Sequence, residues 1–600
     1  MFFREKSVRG SRVLQLVESY RNTEGRPRQR VVASLGNAAI PKAERKAVAR
    51  AVELRLRREP SLLPIPLSPE GAAWVVRVTK IAEEARSMPL KRGTVHLDGV
   101  VVDRIWTDEV VGFGPHLAGV GAWDALGLSA ILEAQGMTPE RIALAQLMVV
   151  NRLVEPLSEW ALAEWANHTA LPEILEVEIS RTTKDRLYRT SDELLVHRRK
   201  IEQALRSGEQ ELFSLRRSIV LYDVTNTHFE GLCRSNPKAK HGKNKQKRND
   251  CRQVAVGMAF DEHGFALAHE VFEGNIADTK TLAAMLDRLD LSEEEGLKPV
   301  VVLDAGFASE ENVRLLEQRG CSYIVNITRG SRRRYAELFE NESFVALPGR
   351  KPQTRVEVKR INDPENENLQ LVLCRSAQRR EKERAMISRA EERFLADGES
   401  LRKRIEAGRL KRPEVIERKI GALLKTHPRV ARYYKAEHKE QTLHLVRNDS
   451  KLDEALALCG DYVLKTDKTM AAETLWELYM TLLEAEKGFR MLKGSLGLRP
   501  NFHQLEARVD GHIFISVLAY HLLHWIGYRL ETAGDVREWR TLRRLLSTHI
   551  VATTRLPLED GHEVSIRKPS EPDEEQLRIY TLLGIDWRRA YPPRKTQTKP

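Results

Sequence analysis

The sequence predicts a multidomain α/β protein centred on a mixed five-stranded sheet with flanking helices. An α+β insertion interrupts that core, and a β-hairpin and a helical N-terminal region precede it. Three observations carry the prediction. A chain of 600 residues is too long for one hydrophobic core. Between residues 216 and 329, three apolar runs in succession give way to alternating helical and apolar segments. Within them Val300-Val301-Val302-Leu303 is apolar without interruption, as in a strand covered on both faces.

Taken in order, residues 1–90 read as a hairpin and helix module. Val13, Leu14, Leu16 and Val17 lie in one strand and Val31, Val32 and Leu35 in the other, with the turn at Asn22-Thr23-Glu24-Gly25. A helix over 42–57 leads to a connector with Pro60, Pro64, Pro66 and Pro69. Residues 91–215 are mostly helical. Thr138 is placed as an N-cap with Pro139 in the first turn, and Ile142, Ala145, Val149 and Leu153 recur at helical spacing. This region fits either a helix-turn-helix reader of DNA ends or a helical packing domain.

The core is assigned to 216–329 and 471–530. A β-rich run, 219–222, ends at Asp223; strands over 254–260 and 266–272 flank the turn Asp261-Glu262-His263-Gly264. A helix over 279–289, a strand ending at Asp304, a helix over 309–318 and a strand over 321–327 complete it. Three meander strands followed by βα units match an RNase H-like arrangement. Residues 330–470 form the insertion, with strand pairs 355–361/369–374 and 442–446/462–466 around charge-rich solvated helices in 376–432. Residues 531–600 read as a helical C-terminal region with a disordered tail after about 590.

The net charge is +13 and the pI about 9.4, which favours a polyanionic partner without choosing among them. Five scattered cysteines form no C-x-x-C pair, which speaks against a zinc ribbon or disulfide framework and fits a reducing cytosol. The N-terminus is charged too early for a secretory signal. The apolar stretch 513–526, broken by Ser516, His521 and His524, is too short to span a bilayer and reads as a buried helix.

Asp223 and Asp304 each end an apolar run. On neighbouring parallel strands they would emerge roughly 5 Å apart at one mouth of the sheet. Single aspartates often just end strands or cap turns. Two in this strand order point instead to hard-cation binding and metal-assisted phosphoryl transfer, with two ions about 4 Å apart. Tyr479, Glu486 and Lys493 recur every seven residues, which places them on one helix face with Phe489 and Arg490 beside Glu486. Alone, that face would be an ordinary solvated one. The loop Lys238-Ala239-Lys240-His241-Gly242-Lys243-Asn244-Lys245-Gln246-Lys247-Arg248 is a single-sign cluster suited to DNA phosphates. His503, His512, His521 and His524 lack a zinc pattern, and His521 and His524 read as packed or hydrogen-bonded helix residues.

Several runs together resemble the DDE transposases of bacterial insertion sequences. Tyr222-Asp223-Val224-Thr225-Asn226-Thr227 and Val302-Leu303-Asp304-Ala305-Gly306-Phe307 are similar to their first two catalytic motifs. Gly274-Asn275-Ile276-Ala277-Asp278-Thr279-Lys280 is similar to their turn into the first helix, and 479–493 to the Tyr-Arg-Glu-Lys signature. Leu498-Arg499-Pro500-Asn501-Phe502-His503 and Gly511-His512-Ile513 also fit, and the similarity spans roughly 1–590. Two departures stand out. Leu482 occupies the signature's Arg position, with Arg490 as the candidate replacement. No Trp lies between Asp304 and Trp476 to hold a flipped base, which leaves Tyr323, Tyr335, Phe339, Phe344 and Trp476 as candidate aromatics.

The resemblance implies an enzyme that cuts element ends and transfers strands into target DNA. Asp223, Asp304 and Glu486 would be its catalytic metal ligands. The ions would be a pair of Mg2+, with Mn2+ as substitute. Tyr479, Arg490, Lys493, Lys240, His241, Lys243, Lys245, Lys247 and Arg248 would contact DNA. The implied partners are double-stranded DNA (terminal inverted repeats and target) and a second copy of the chain when DNA is bound, with no membrane, in the cytoplasm at the nucleoid. Two rivals use the same residues: an RNase H-like nuclease without strand transfer, and a domesticated non-catalytic DNA-binding protein.

Overall fold

Apolar residues at alternate positions build the N-terminal strands. Leu14 and Leu16 point to one side of β2 (Ser11–Arg21), which pairs antiparallel with both β1 (Phe2–Val8) and β3 (Pro27–Ser34). The sequence predicts two strands here. The third, Phe2–Val8, carries Arg4, Glu5 and Lys6 and shows little strand patterning; its ladder to β2 supplies the pairing. Helices α1 (Arg45–Arg57) and α2 (Pro69–Ser87) cover the inner face, where Val48, Val52, Val75 and Val78 pack on Leu14 and Leu16.

The computed structural model describes every residue except 9–10, 22–26, 37, 39, 58–64, 88–95, 98, 179–182, 214, 216–217, 243–247, 290–298, 329, 341–342, 348–354 and 599–600. The turn expected at 22–25 and the prolines at 60 and 64 lie outside the described residues. The chain divides into two units. One is Met1–Trp106 with Thr554–Ser565 and Lys595–Pro600; the other is Thr107–Thr553 with Ile566–Arg594.

The second unit opens within a strand, Trp106–Gly112, and continues in helices. The Thr138 hydroxyl accepts the Arg141 N–H at 3.4 Å and starts α3 (Pro139–Val154), which is buried along most of its length. The sheet that follows has nine strands. In chain order these are β4 (Ile219–His228), β5 (Gln253–Phe260), β6 (Ala266–Glu273), β7 (Val300–Leu303), β8 (Ser322–Asn326), β9 (Val345–Leu347), β10 (Val356–Asp363) and β11 (Asn366–Ser376). A hairpin of β12 (Tyr434–Lys439) and β13 (Thr442–Arg447) stands apart, and β14 (Asp461–Thr466) returns to the sheet. The spatial order is β9-β10-β11-β14-β8-β7-β4-β5-β6. Strands β4, β7 and β8 are parallel; every other pairing is antiparallel.

The five expected strands are therefore present, but the sheet does not stop there. Strand β14 bonds to β8, so the inserted strands lengthen the core sheet instead of forming a separate one. The expected pair 442–446/462–466 does not form: β13 pairs with β12, and β14 with β11 and β8. Local patterning identifies strands but not partners, which long-range packing selects.

Alternation along the strands feeds two cores. Val300, Val302, Leu221 and Ile324 face one cluster, while Val301, Leu303, Tyr222 and Val325 face the other. Helices α4 (Leu282–Leu289) and α5 (Glu310–Gln318) cover the second face. Each such side chain contributes about 1.5–3 kcal/mol on burial. The charge-rich helices α6 (Ala377–Glu406) and α7 (Pro413–Thr426) form in the insertion as expected. Two helices follow it, α8 (Ala472–Met480) and α9 (Leu482–Gly494).

Helix α10 (Glu506–Thr532) runs through the first core and is longer than the stretch 513–526 suggests. By length and composition it could cross a membrane, but 78% of its most apolar window is buried inside the protein. The C-terminal region adds strands Ile550–Pro557, Glu563–Pro569 and Arg594–Thr598 to its helices. The last of these lies where composition predicts a disordered tail; Thr596 and Thr598 supply β-favouring side chains.

Candidate active site

Register fixes the first two acids. The parallel ladder of β4 and β7 ends at Tyr222↔Leu303, so Asp223 and Asp304 are the next residues on adjacent strands. Such strands lie about 4.8 Å apart. Asp223 is not at a strand end, as the apolar run suggests. Strand β4 continues to His228, held by its ladder to β5, in which Asp223 faces Met258. Asp304 does end its strand, and it precedes a short 3-10 turn, Ala305–Phe307.

Helix α9 supplies the third acid, and close packing sets its height over the sheet. A Cβ on Gly488 would lie 2.8 Å from a ring carbon of Phe260 and 3.0 Å from the Tyr520 hydroxyl, so only glycine permits this approach. Phe489 then meets Phe260 edge-on, with ring centroids 5.7 Å apart. The expected single helix through Tyr479, Glu486 and Lys493 is interrupted at Thr481: Tyr479 belongs to α8, Glu486 and Lys493 to α9. Thr481 keeps helical dihedrals (φ −61, ψ −19), so the three side chains still share one side.

All these elements open onto one cleft of about 940 Å³, lined by Asp223, Asp304, Glu486, Tyr479, Arg490 and Lys493. Asp278 and Arg499 line it too. Asp304, Glu486 and Asp278 are exposed there and Asp223 is half-buried. Asp278 sits in the Gly274–Lys280 run singled out by sequence, but spacing gave no sign of its carboxylate. Its position is fixed by a relay: Tyr222 donates to Thr281 Oγ1 at 2.8 Å, and Thr281 donates to the Asp278 carbonyl at 2.6 Å. Asp278 Oδ2 comes within 3.5 Å of where a Cβ on Gly306 would stand.

Tyr479 donates to Asp304 Oδ1 at 3.5 Å and accepts from Asn326 Nδ2 at 3.0 Å. Burial, then the charge of Asp304, pushes its phenol well above the ordinary value, so it remains a proton-bearing donor at neutral pH. The Lys493 ammonium lies 5.4 Å from the centre of the Phe489 ring. Leu482, at the signature's Arg position, also lines the cleft.

The cleft carboxylates are not drawn tightly together. Among the described residues, only Glu159, His503 and His512 form a group of three whose metal-ligating atoms all lie within 4.8 Å of one another. Glu159 and His512 are buried and His503 half-buried, and Arg152 lies against the group, its Nη2 3.2 Å from His512 Nδ1. His521 is 2.6 Å from Glu209, and His524 packs on Phe265 at 4.4 Å, as expected for core histidines.

The described residues of the basic loop, 238–242 and 248, are not among the cleft lining. Lys240 bridges to Gln253, which faces His228 at the far end of β4 from Asp223. Arg248 is paired with Asp250 at 3.0 Å, and Lys238 with Asp510 at 2.7 Å. His241 is exposed; Lys243, Lys245 and Lys247 lie outside the described residues. Of the candidate base-holding aromatics, Tyr323, Tyr335 and Phe339 are buried. Phe344 lies under Arg375, and Trp476 donates to the Tyr462 hydroxyl at 2.8 Å.

Residues 214–522 match the family model described as "Transposase DDE domain", and residues 3–59 match "IS1634 family transposase, N-terminal domain". Among solved structures, the cryo-EM structure of a piggyBac transposase synaptic complex with hairpin DNA aligns with a TM-score of 0.33 and 11% identity, over 68% of this chain and 70% of that one. A likeness that slight carries no argument about fold or chemistry. No curated protein matches the chain.

Proposed function

Since the chain belongs to the DDE-domain transposases of insertion sequences, we propose that it cuts the ends of its own element and joins them to target DNA at one site, with Asp223, Asp304 and Glu486 as catalytic metal ligands. The observation that carries this reading is the parallel register Tyr222↔Leu303, which makes the two aspartates neighbours on the floor of a cleft that Glu486 also lines. The strand order β6-β5-β4-β7-β8, three antiparallel and then two parallel, supports an RNase H-like core.

The donor set fits hard divalent cations. The cleft offers carboxylate oxygens, with no His or Cys among its lining residues, which suits Mg2+, or Mn2+ in its place, over zinc. Carboxylates that share a cleft without crowding to one point suit a pair of ions, each held by a subset of them. When bound, such ions supply activation of the attacking hydroxyl and charge for the leaving oxygen.

The protein's own groups would do the rest. Tyr479 holds the Asp304 carboxylate by its hydroxyl, and Arg490 and Lys493 hold DNA phosphate at the rim. Lys240, His241, Lys243, Lys245, Lys247 and Arg248 form a second, more distant phosphate track. Residues 1–90 form a hairpin and helix module, 91–215 the region that would read the terminal repeats, 216–329 with 471–530 the catalytic core, 330–470 the insertion, and 531–600 a C-terminal region. Processing two ends together calls for a homodimer on DNA, acting in the cytoplasm at the nucleoid.

The test is an assay of cleavage and strand transfer on element-end DNA with and without Mg2+, with Asp304→Asn and Glu486→Gln as controls. Joined products that need Mg2+ and vanish in both variants support the proposal. Cleavage without joining would favour a nuclease. Binding unaffected by Mg2+, with no product, would favour a non-catalytic DNA binder.

A further inference from the structure

The cleft has a basic residue whose position the reading above does not use. Arg499 lines it together with the acids, and its Nη1 is buried without a hydrogen-bond partner. The protein therefore leaves this cation short of partners, and a ligand of opposite charge in the cleft would stabilise it. Arginine's planar fork matches the oxygens of a phosphodiester.

The backbone that carries Arg499 is tied down on both sides. Thr227 Oγ1 donates to the Leu498 carbonyl at 2.8 Å, and the Asn501 N–H donates to the His228 carbonyl at 2.9 Å. The Leu498 N–H donates to the Leu492 carbonyl at 2.9 Å, which links the same segment to α9. Residues 498–501 are thus strapped between the strand that bears Asp223 and the helix that bears Glu486.

We propose that Arg499 is a DNA-positioning residue that grips a backbone phosphate beside the scissile bond through the part of its guanidinium that lines the cleft. This rests on the transposase reading of the cleft. The fixed backbone orders the guanidinium before DNA arrives, so little entropy is lost on binding. Both the element end and the target offer the same phosphodiester chemistry, and the experiment separates them.

The test measures binding of a labelled element-end duplex and of an unrelated duplex of equal length to the full chain in EDTA, between 50 and 200 mM salt. Each phosphate contact contributes about −0.9 to the slope of log K against log salt. Arg499→Gln is expected to flatten the slope by about 0.9. Flattening with the end duplex alone assigns the grip to the element end, and with the unrelated duplex alone to the target. An unchanged slope with both overturns the proposal. Should Arg499→Gln not fold, Arg499→Lys decides: it keeps a point charge but loses the fork. A retained slope with Mg2+-dependent cleavage down tenfold or more supports the grip, and undiminished cleavage overturns it. Asp304→Asn, run in parallel, is expected to stop cleavage with the salt slope unchanged. Persistent cleavage there would sink the active-site reading separately from Arg499.

Discussion

The molecule contains two groupings of acids with other polar side chains, and they differ in a way that separates chemistry from architecture. Glu159, His503 and His512 are mutually within 4.8 Å, with Glu159 and His512 buried and His503 half-buried. Asp223, Asp304, Asp278 and Glu486 are looser and line an open cleft. By compactness alone the first would look like the metal centre. Charge argues otherwise. Glu159 already lies 3.3 Å from His503, and the buried Arg152 abuts His512, so a divalent cation would leave excess positive charge in a dry site. The cleft has surplus negative charge on its floor and cations at its rim. Net negative charge facing solvent, not proximity, marks the reactive group.

That contrast can be broken by experiment. The largest effect is expected in the cleft: Asp304→Asn should lower cleavage on the order of 10³-fold, with thermal unfolding nearly unchanged. A variant that loses stability as well as activity would make Asp304 structural. The buried cluster should behave in reverse. Glu159→Ala removes the carboxylate beside His503 and should cost about 1–3 kcal/mol in denaturant unfolding, while cleavage per folded molecule holds.

The cluster should also make the fold acid-sensitive. Burial holds His512 well below its ordinary value, so the folded state fails to take up a proton that the unfolded state binds as pH falls below 6.5. Burial alone would raise Glu159, but the hydrogen bond and charge of His503 bring it down to about 2. Both groups are depressed on folding, so their contribution is complete at neutral pH. It is lost first below pH 6.5 and then between 4.5 and 2. Asp261, raised by burial to about 7, works in the opposite direction. Denaturant unfolding of wild type and His512→Gln across this range should converge at low pH; parallel curves would count against His512 as the source.

Smaller effects test how the cleft is held. Gly488→Ala should push α9 off Phe260, with a loss of about 1–3 kcal/mol and slower cleavage from a displaced Glu486. Tyr479→Phe removes the hydroxyl between Asn326 and Asp304 and should cost about 1 kcal/mol, read as a severalfold fall in cleavage rate. No change in rate would mean that Asp304 needs no such support.

Much of the cleft was legible because its acids follow strong apolar runs. Val300–Leu303 announces a buried strand, and Asp304 follows it directly. The seven-residue spacing of Tyr479, Glu486 and Lys493 survives the interruption at Thr481, because that residue keeps helical dihedrals. Asp278 escaped because a carboxylate in a turn looks the same whether it faces solvent or a site; only the relay from Tyr222 through Thr281 distinguishes them. Arg499 escaped because nothing in its local sequence indicates that one nitrogen is buried. The partners of β14 were illegible for a different reason: they lie nearly a hundred residues away in β11 and farther in β8.

The return of β14 to the sheet has a practical meaning. Removing 330–470 to obtain a minimal enzyme would strip the main-chain partner from β8 at Ile324–Asn326. The trimmed protein would carry a bare apolar rim inviting self-association. A shortened version meant to stay in solution would therefore need a substitute strand or charged residues along that margin.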